Sequence, residues 1–171
     1  MKEKADPEKK PSHTVTLRNH RPGDIGMVIH RHGVLYAREY GFNHEFDAYV
    51  ALGMGNFIQK LTPRERLWLA EVRGGFAGSI AAVRHDDQTA QLRWLIVEPR
   101  ERGKGVGKQL VQEAIRFSRE QEYRAIILWT IDFLHVARRL YAEAGFQLTE
   151  NKVSQVWGKT LTEECWKLTL D

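Results

Sequence analysis

Residues 97–108 read Val97-Glu98-Pro99-Arg100-Glu101-Arg102-Gly103-Lys104-Gly105-Val106-Gly107-Lys108. Thr89 to Val97 precedes this stretch and alternates, with Leu92, Trp94 and Ile96 on one side and Arg93, Leu95 and Val97 on the other. That alternation predicts a strand. After it, Val106, Leu110, Ala114 and Phe117 recur at helical steps, predicting a helix that begins near Gly105. Three glycines remove side chains where a backbone would approach a ligand. The first turn of a helix carries unpaired N–H groups and a partial positive charge, which together make an anion site. Arg102, Lys104 and Lys108 add charge beside it. The guest such a loop suits is a diphosphate.

Upstream, Thr14 to Asn19 reads as a strand, and Pro22 is expected to open a helix on which Ile25, Val28, Ile29, His32, Leu35 and Tyr36 recur at steps of three and four. Gly41 is expected to stop it. A second helix is expected from about Asn43 to Lys60, weakened in its middle by Gly53 and Gly55. Leu67 to Val72, Phe76 to Arg84 and Thr89 to Val97 are separated by the turns Arg73-Gly74-Gly75 and His85-Asp86-Asp87-Gln88, so they read as an antiparallel meander. Downstream, Ala125 to Thr130 reads as a buried strand. Phe133 to Ala144 reads as a helix ended by Gly145. Phe146 to Leu148 and Cys165 to Leu170 read as strands, with a loop over Glu150 to Thr160. The order β-α-α-β-β-β-α-β-α-β-β predicts an α/β (α+β) domain with a mixed, mostly antiparallel sheet flanked by helices. A dinucleotide-binding βαβ unit is excluded because the loop follows three strands of meander. A Walker A loop is excluded because Gly107-Lys108 is followed by Gln109 rather than Ser or Thr.

The chain's 171 residues suit one domain, expected over 13–171, behind a polar tail over 1–12 with two prolines. Its composition, 42% hydrophobic and 28% charged, is that of a soluble globular protein. No apolar run approaches the ~20 residues that span a bilayer, and the N-terminus has no apolar signal region. Cys165 is the one cysteine, which rules out an intrachain disulfide. These features predict a cytoplasmic protein with no membrane partner. The net charge of +4 would suit nucleic acid or a polyphosphate-bearing cofactor. No nucleic-acid recognition motif accompanies it, so the cofactor is favoured. The histidines show no metal-ligand spacing, and no metal is expected.

Arg102-x-x-Gly105-x-Gly107 resembles the acyl-CoA pyrophosphate motif of the GNAT superfamily of N-acetyltransferases. Ala137-Arg138-Arg139-Leu140-Tyr141 followed by Gly145-Phe146 resembles its second motif. Stretches at 20–24, 31–41, 83–87, 128–130 and 137–146 look like the acetyltransferase domain found fused behind MarR-type regulators; only a short tail precedes the domain here. The resemblance implies acetyl-CoA as cosubstrate. It implies that Leu95, Ile96 and Val97 offer backbone groups to the pantetheine arm. It implies that Arg102, Gly103, Lys104, Gly105, Val106, Gly107 and Lys108 hold the pyrophosphate, with the cofactor seated where this strand splays from Ala125 to Thr130. Homodimers are common among similar proteins, and that assembly stays open.

The resemblance also implies that Tyr141 protonates the departing thiolate. The chemistry is independent of family: a thiol of pKa about 8.5 leaves as a thiolate, and a phenol of pKa about 10 supplies a proton as charge develops. Leu134, Ala137 and Tyr141 share one helix face, and small Ala137 leaves room for a slim cofactor. Many relatives carry asparagine at the place of Leu134, where it helps hold the pantetheine. An amine of pKa about 10.4 must lose a proton before it attacks. Glu39, His85, Glu98 and Asp132 are the candidate bases, Glu39 first, because it sits beside Tyr36 and Tyr40 where similar enzymes line the acceptor pocket. Cys165 has no base beside it and is not expected to act as nucleophile. The expected activity is transfer of acetyl to a primary amine, small-molecule or protein-borne, by direct attack; the alternative is a domain that senses acyl-CoA without turnover.

Overall fold

The computed structural model describes residues 13–170, so the tail expected over 1–12 lies outside the described residues. The elements are β1 (Val15–Asn19), α1 (Asp24–Tyr40), α2 (His44–Gln59), β2 (Arg66–Val72), β3 (Gly75–Arg84), β4 (Thr89–Val97), α3 (Val106–Glu120), β5 (Ala125–Ile131), α4 (His135–Glu143), β6 (Gln147–Val156) and β7 (Lys159–Thr169). A single 3-10 turn, Pro99–Glu101, leads into the glycine loop. The order is the one the sequence predicts. The strands form one sheet in the order β1-β2-β3-β4-β5-β7-β6. Every pair is antiparallel except β4 with β5.

Two apolar layers cover the sheet. On one face Leu110, Ala114 and Phe117 of α3 and Tyr141 of α4 pack with Leu92, Ile126 and Trp166 of the strands. On the other, Val28 of α1 and Phe46, Val50, Met54 and Phe57 of α2 pack with Leu67, Leu69 and Trp94. Helix α1 starts at Asp24, after Pro22 rather than at it. Gly23 takes φ 97, a left-handed conformation that glycine adopts without strain, and its carbonyl accepts the first helical bond from Met27. Asn43 caps α2, its side chain accepting from the Glu45 N–H at 3.0 Å.

Strand β4 does not alternate throughout. Ser79 pairs with Ile96 and Ala81 with Arg93, so Ile80 faces two residues, Trp94 and Leu95. This is a β-bulge, with Trp94 at φ 53. The Ser79 hydroxyl, fully buried, donates to the Trp94 carbonyl at 2.9 Å and satisfies the group the ladder leaves out. The extra residue reverses the alternation. Leu92, Leu95 and Val97 belong to the α3 layer, and Trp94 to the α1–α2 layer, so Leu92 and Trp94 do not share the face expected for them. The bulge also ends the parallel pairing: β4 and β5 are joined only from Thr89↔Ala125 to Leu92↔Leu128, and part beyond.

The loop expected over Glu150 to Thr160 is instead most of a long hairpin. Strand β6 runs to Val156 and pairs residue by residue with β7. It is the sheet's edge and is exposed along most of its length, so solvent on both sides leaves no alternating apolar signal. Only Trp157 and Gly158 turn, with φ 56 and 79, the two left-handed residues of a tight hairpin turn.

Candidate active site

Where β4 and β5 part, a cleft opens and divides into two joined cavities. The larger, about 500 Å³, lies between Leu95, Ile96 and Val97, the loop and first turn of α3, and α4. The smaller, about 130 Å³, lies deeper, between α1, α2, the β4 bulge and β5. Tyr36, Leu95, Leu134 and Ala137 line both, so the passage between them runs past these four.

One end of the larger cavity is formed by the glycine loop and the first turn of α3. Gly103 and Gly105 take φ 72 and 85, conformations an L side chain resists. No side chain caps the α3 N-terminus, and the first helical bond there runs from Gln109 to the Gly105 carbonyl, so the amides of 106–108 face the loop without helical partners. A Cβ on Gly107 would lie 3.2 Å from Leu140, so glycine lets α3 and α4 approach here. Arg102, Gly103, Gly105, Val106, Gly107, Lys108 and Ala137 line this cavity together with the β4 residues. Lys104 does not line it: its ammonium turns to Glu101 at 3.2 Å.

Glu39 is not in the smaller cavity where its expected role would put it. It lines the larger one, with both carboxylate oxygens held by Arg102, at 2.8 and 2.9 Å. Arg102 also donates from Nε to the Val97 carbonyl at 3.1 Å. Of the other candidate bases, Glu98 accepts from Arg31 Nε and Nη2 at 2.6 and 2.9 Å. His85 sits in the β3–β4 turn, and neither it nor Asp132 lines either cavity. Tyr141 is buried, lines the smaller cavity one turn from Ala137, and packs edge-on against Phe146 with centroids 5.9 Å apart. Burial pushes its phenol above the ordinary tyrosine range, so the proton is present at every neutral pH. Burial likewise raises the Cys165 thiol, which leaves it a poor nucleophile.

The smaller cavity holds residues the sequence reading passed over. Its walls are aromatic, from Tyr36, Phe46, Tyr49, Trp94, Trp129 and Trp157, with Arg93 and Glu163 as its charged members. The hairpin turn closes it: the Trp157 carbonyl accepts from the Asn43 N–H at 3.1 Å, and its ring lies 5.0 Å from Phe46 and 5.2 Å from Tyr49. His32 is buried in the same wall, stacked on Tyr36 at 6.0 Å. Its Nδ1 donates to the Val28 carbonyl at 2.8 Å, which leaves Nε2 as an acceptor. The signal for it was its place on the apolar face of α1, between Val28 and Tyr36.

Burial pulls the His32 pKa down to about 4. In the unfolded chain an imidazole titrates near 6.5. As pH falls, the unfolded chain takes up this proton first. The ring's contribution to stability is therefore whole above about pH 6.5 and is lost between there and about pH 4. Unfolding free energy should fall by up to about 3 kcal/mol across that window on this account alone. Denaturant titrations of wild type and His32→Gln check it: the variant should show a flatter pH dependence, and an unchanged one would assign the slope to other groups.

Among the described residues no group of three or more His, Cys, Asp or Glu side chains stands together as a metal site. No helix among them is long and apolar enough to cross a membrane. The sequence pattern of the acetyltransferase (GNAT) family matches residues 31–146. The chain is 37% identical over 81 residues to the N-acetylaspartate synthetase of Danio rerio, covering 47% of this chain and 29% of that protein. It is 33% identical over 97 residues to N-acetyltransferase 8B of Homo sapiens, covering 54% of this chain and 43% of that one. The match thus spans less than half the length of either relative. Among solved structures, yncA from Salmonella typhimurium with its cofactor acetyl-CoA superposes with a TM-score of 0.71 at 18% identity, covering 92% of this chain and 95% of that one. That likeness bears on the fold.

Proposed function

The chain belongs to the acetyltransferase (GNAT) family, and from that membership we propose that it moves an acetyl group from acetyl-CoA to a primary amine by direct attack. The observation that carries the reading is the joined pair of cavities: a long one ending at bare helix amides, and a short aromatic one that holds a buried phenol. Acetyl-CoA, when bound, supplies the thioester. The amides of 103–108 with Arg102 and Lys108 hold the pyrophosphate end, as the uncapped α3 N-terminus and the left-handed glycines allow. Leu95, Ile96 and Val97, past the bulge and free of β5, present backbone groups to an extended arm. Leu134 lines both cavities and contributes only an apolar wall.

The amine enters the smaller cavity and the departing sulfur takes its proton from the Tyr141 hydroxyl. Positioning supplies most of the acceleration, because the two cavities meet at Tyr36, Leu95, Leu134 and Ala137 and hold the reactants at one point. A carboxylate whose two oxygens already accept from a guanidinium is a weak base, so Glu39 is assigned to Arg102 rather than to the amine. The amine's proton leaves by way of water along the polar wall of His32, Thr130 and Glu163.

Glu39→Gln separates these roles. With Arg102 released and a negative charge removed from the phosphate end, acetyl-CoA should bind about two- to fivefold tighter, the scale of one partly exposed ion pair, and kcat should stay within about threefold. A fall in kcat of a hundredfold or more would return Glu39 to the part of base. The reading as a whole is tested by thiol release from acetyl-CoA over a broad amine panel. Turnover supports it. Saturable acetyl-CoA binding without turnover on any amine would favour an acyl-CoA-sensing domain.

A further inference from the structure

Arg93 stands in the wall of the smaller cavity, and among the described residues no carboxylate pairs with it. Its guanidinium is nonetheless held in place. It lies over the Trp94 ring at 4.4 Å and over the Tyr49 ring at 5.7 Å, and donates to the Tyr49 hydroxyl at 3.4 Å. Helix α2 is cut away to admit it. A Cβ on Gly53 would fall 2.9 Å from Arg93 Nη2 and 3.2 Å from Trp94. A glycine inside a helix is destabilising relative to alanine, and here it leaves a seat for this guanidinium. Beside it the buried Trp94 indole N–H has no hydrogen-bond partner among the described residues. The indole nitrogen is closed off from the cavity, and the Arg93 guanidinium is the charged donor that this wall presents. The single carboxylate of the cavity, Glu163, lies 3.8 Å from Lys152. A polyamine would need several carboxylates, and the wall does not supply them.

We propose that the acceptor is a small primary amine that also carries a carboxylate, an amino-acid-like molecule with an apolar or aromatic side chain, and that Arg93 holds that carboxylate. The proposal rests on the acetyl-transfer reading above and deepens it. The guanidinium supplies a planar fork of donors that suits a carboxylate. The aromatic walls take the side chain.

The test measures kcat/KM by thiol release for each of the protein amino acids and, where one exists, for its decarboxylated amine (phenylalanine with phenethylamine, tryptophan with tryptamine, leucine with isoamylamine), with spermidine added. At least one amino acid should exceed both its decarboxylated partner and spermidine by about tenfold or more, the scale of a hydrogen bond to a charged group. In Arg93→Gln that preference should collapse through KM, while acetyl-CoA affinity by calorimetry stays unchanged, since Arg93 does not line the larger cavity. Gly53→Ala keeps the arginine and favours the helix but displaces the guanidinium, so it should show the same loss of preference in a folded protein. Preference for spermidine or a decarboxylated amine, absence of turnover with every amino acid, or a preference that survives both substitutions would overturn the assignment. Preference for spermidine over every amino acid would do so while leaving acetyl transfer standing; failure of wild type to bind acetyl-CoA would instead remove the reading beneath it.

Discussion

Tyr141→Phe should lose about 10²–10⁴-fold in kcat while acetyl-CoA affinity stays within about twofold. The ring that packs on Phe146 is retained, so the α4 face of the core is undisturbed and only the hydroxyl is removed. That hydroxyl makes no hydrogen bond to any described side chain or backbone group, so removing it strands no partner. On the proposed mechanism, what is lost is the proton for the departing sulfur. Burial keeps the wild-type phenol protonated at neutral pH, so wild type should gain no activity from this group when the pH is lowered to about 6. Single-turnover thiol release separates this step from product departure. A kcat within about threefold of wild type would mean that water supplies the proton and that Tyr141 only shapes the wall.

Gly105→Glu should weaken acetyl-CoA binding at least about a hundredfold. Two effects add. The position takes φ 85, which costs an L residue roughly 1–2 kcal/mol. The new carboxylate also stands at the bare N-terminus of α3, where it takes the place of the incoming phosphate and repels it; at an effective dielectric near 20, like charges about 4 Å apart oppose one another by roughly 4 kcal/mol. Nothing lies within 4 Å of a Cβ built there, so the loss does not come from a clash. Gly105→Ala carries the strain without the charge and should lose far less. Equal affinities for the two variants would show that the loop geometry, and not the anion site, governs binding.

The loop was legible in the sequence because its signals are local: glycines where φ is positive, an amphipathic period after them, an alternating strand before. The arrangement beyond it was not. The bulge at Trp94 adds one residue to β4, and an ordinary apolar side chain at φ 53 leaves no mark in the sequence. Its consequences are that Leu92 and Trp94 lie on opposite faces and that β4 parts from β5 beyond Leu92. The same holds for β6, an edge strand whose polar residues face water on both sides and read as loop. Glu39 looked like a base because its sequence neighbours are Tyr36 and Tyr40; its bond to Arg102 spans 63 positions and is set by the tertiary fold. His32 was visible as a member of the α1 apolar face, and its meaning depended on α1 lying over the bulge. Alternation and periodicity report which face is buried, and they are silent on where a ladder slips and what the slip exposes.

The central claim is that acetyl-CoA lies in the gap between β4 and β5 with its pyrophosphate on the α3 amides. Amide hydrogen exchange on the wild-type chain, with and without saturating acetyl-CoA, tests it most directly. The account predicts new protection at 95–97 and at 103–108, with α4 from Leu134 to Ala137 slowed as well and β6 unchanged. Unaltered exchange at 103–108 under saturating acetyl-CoA, or protection gathered at another surface, would contradict it.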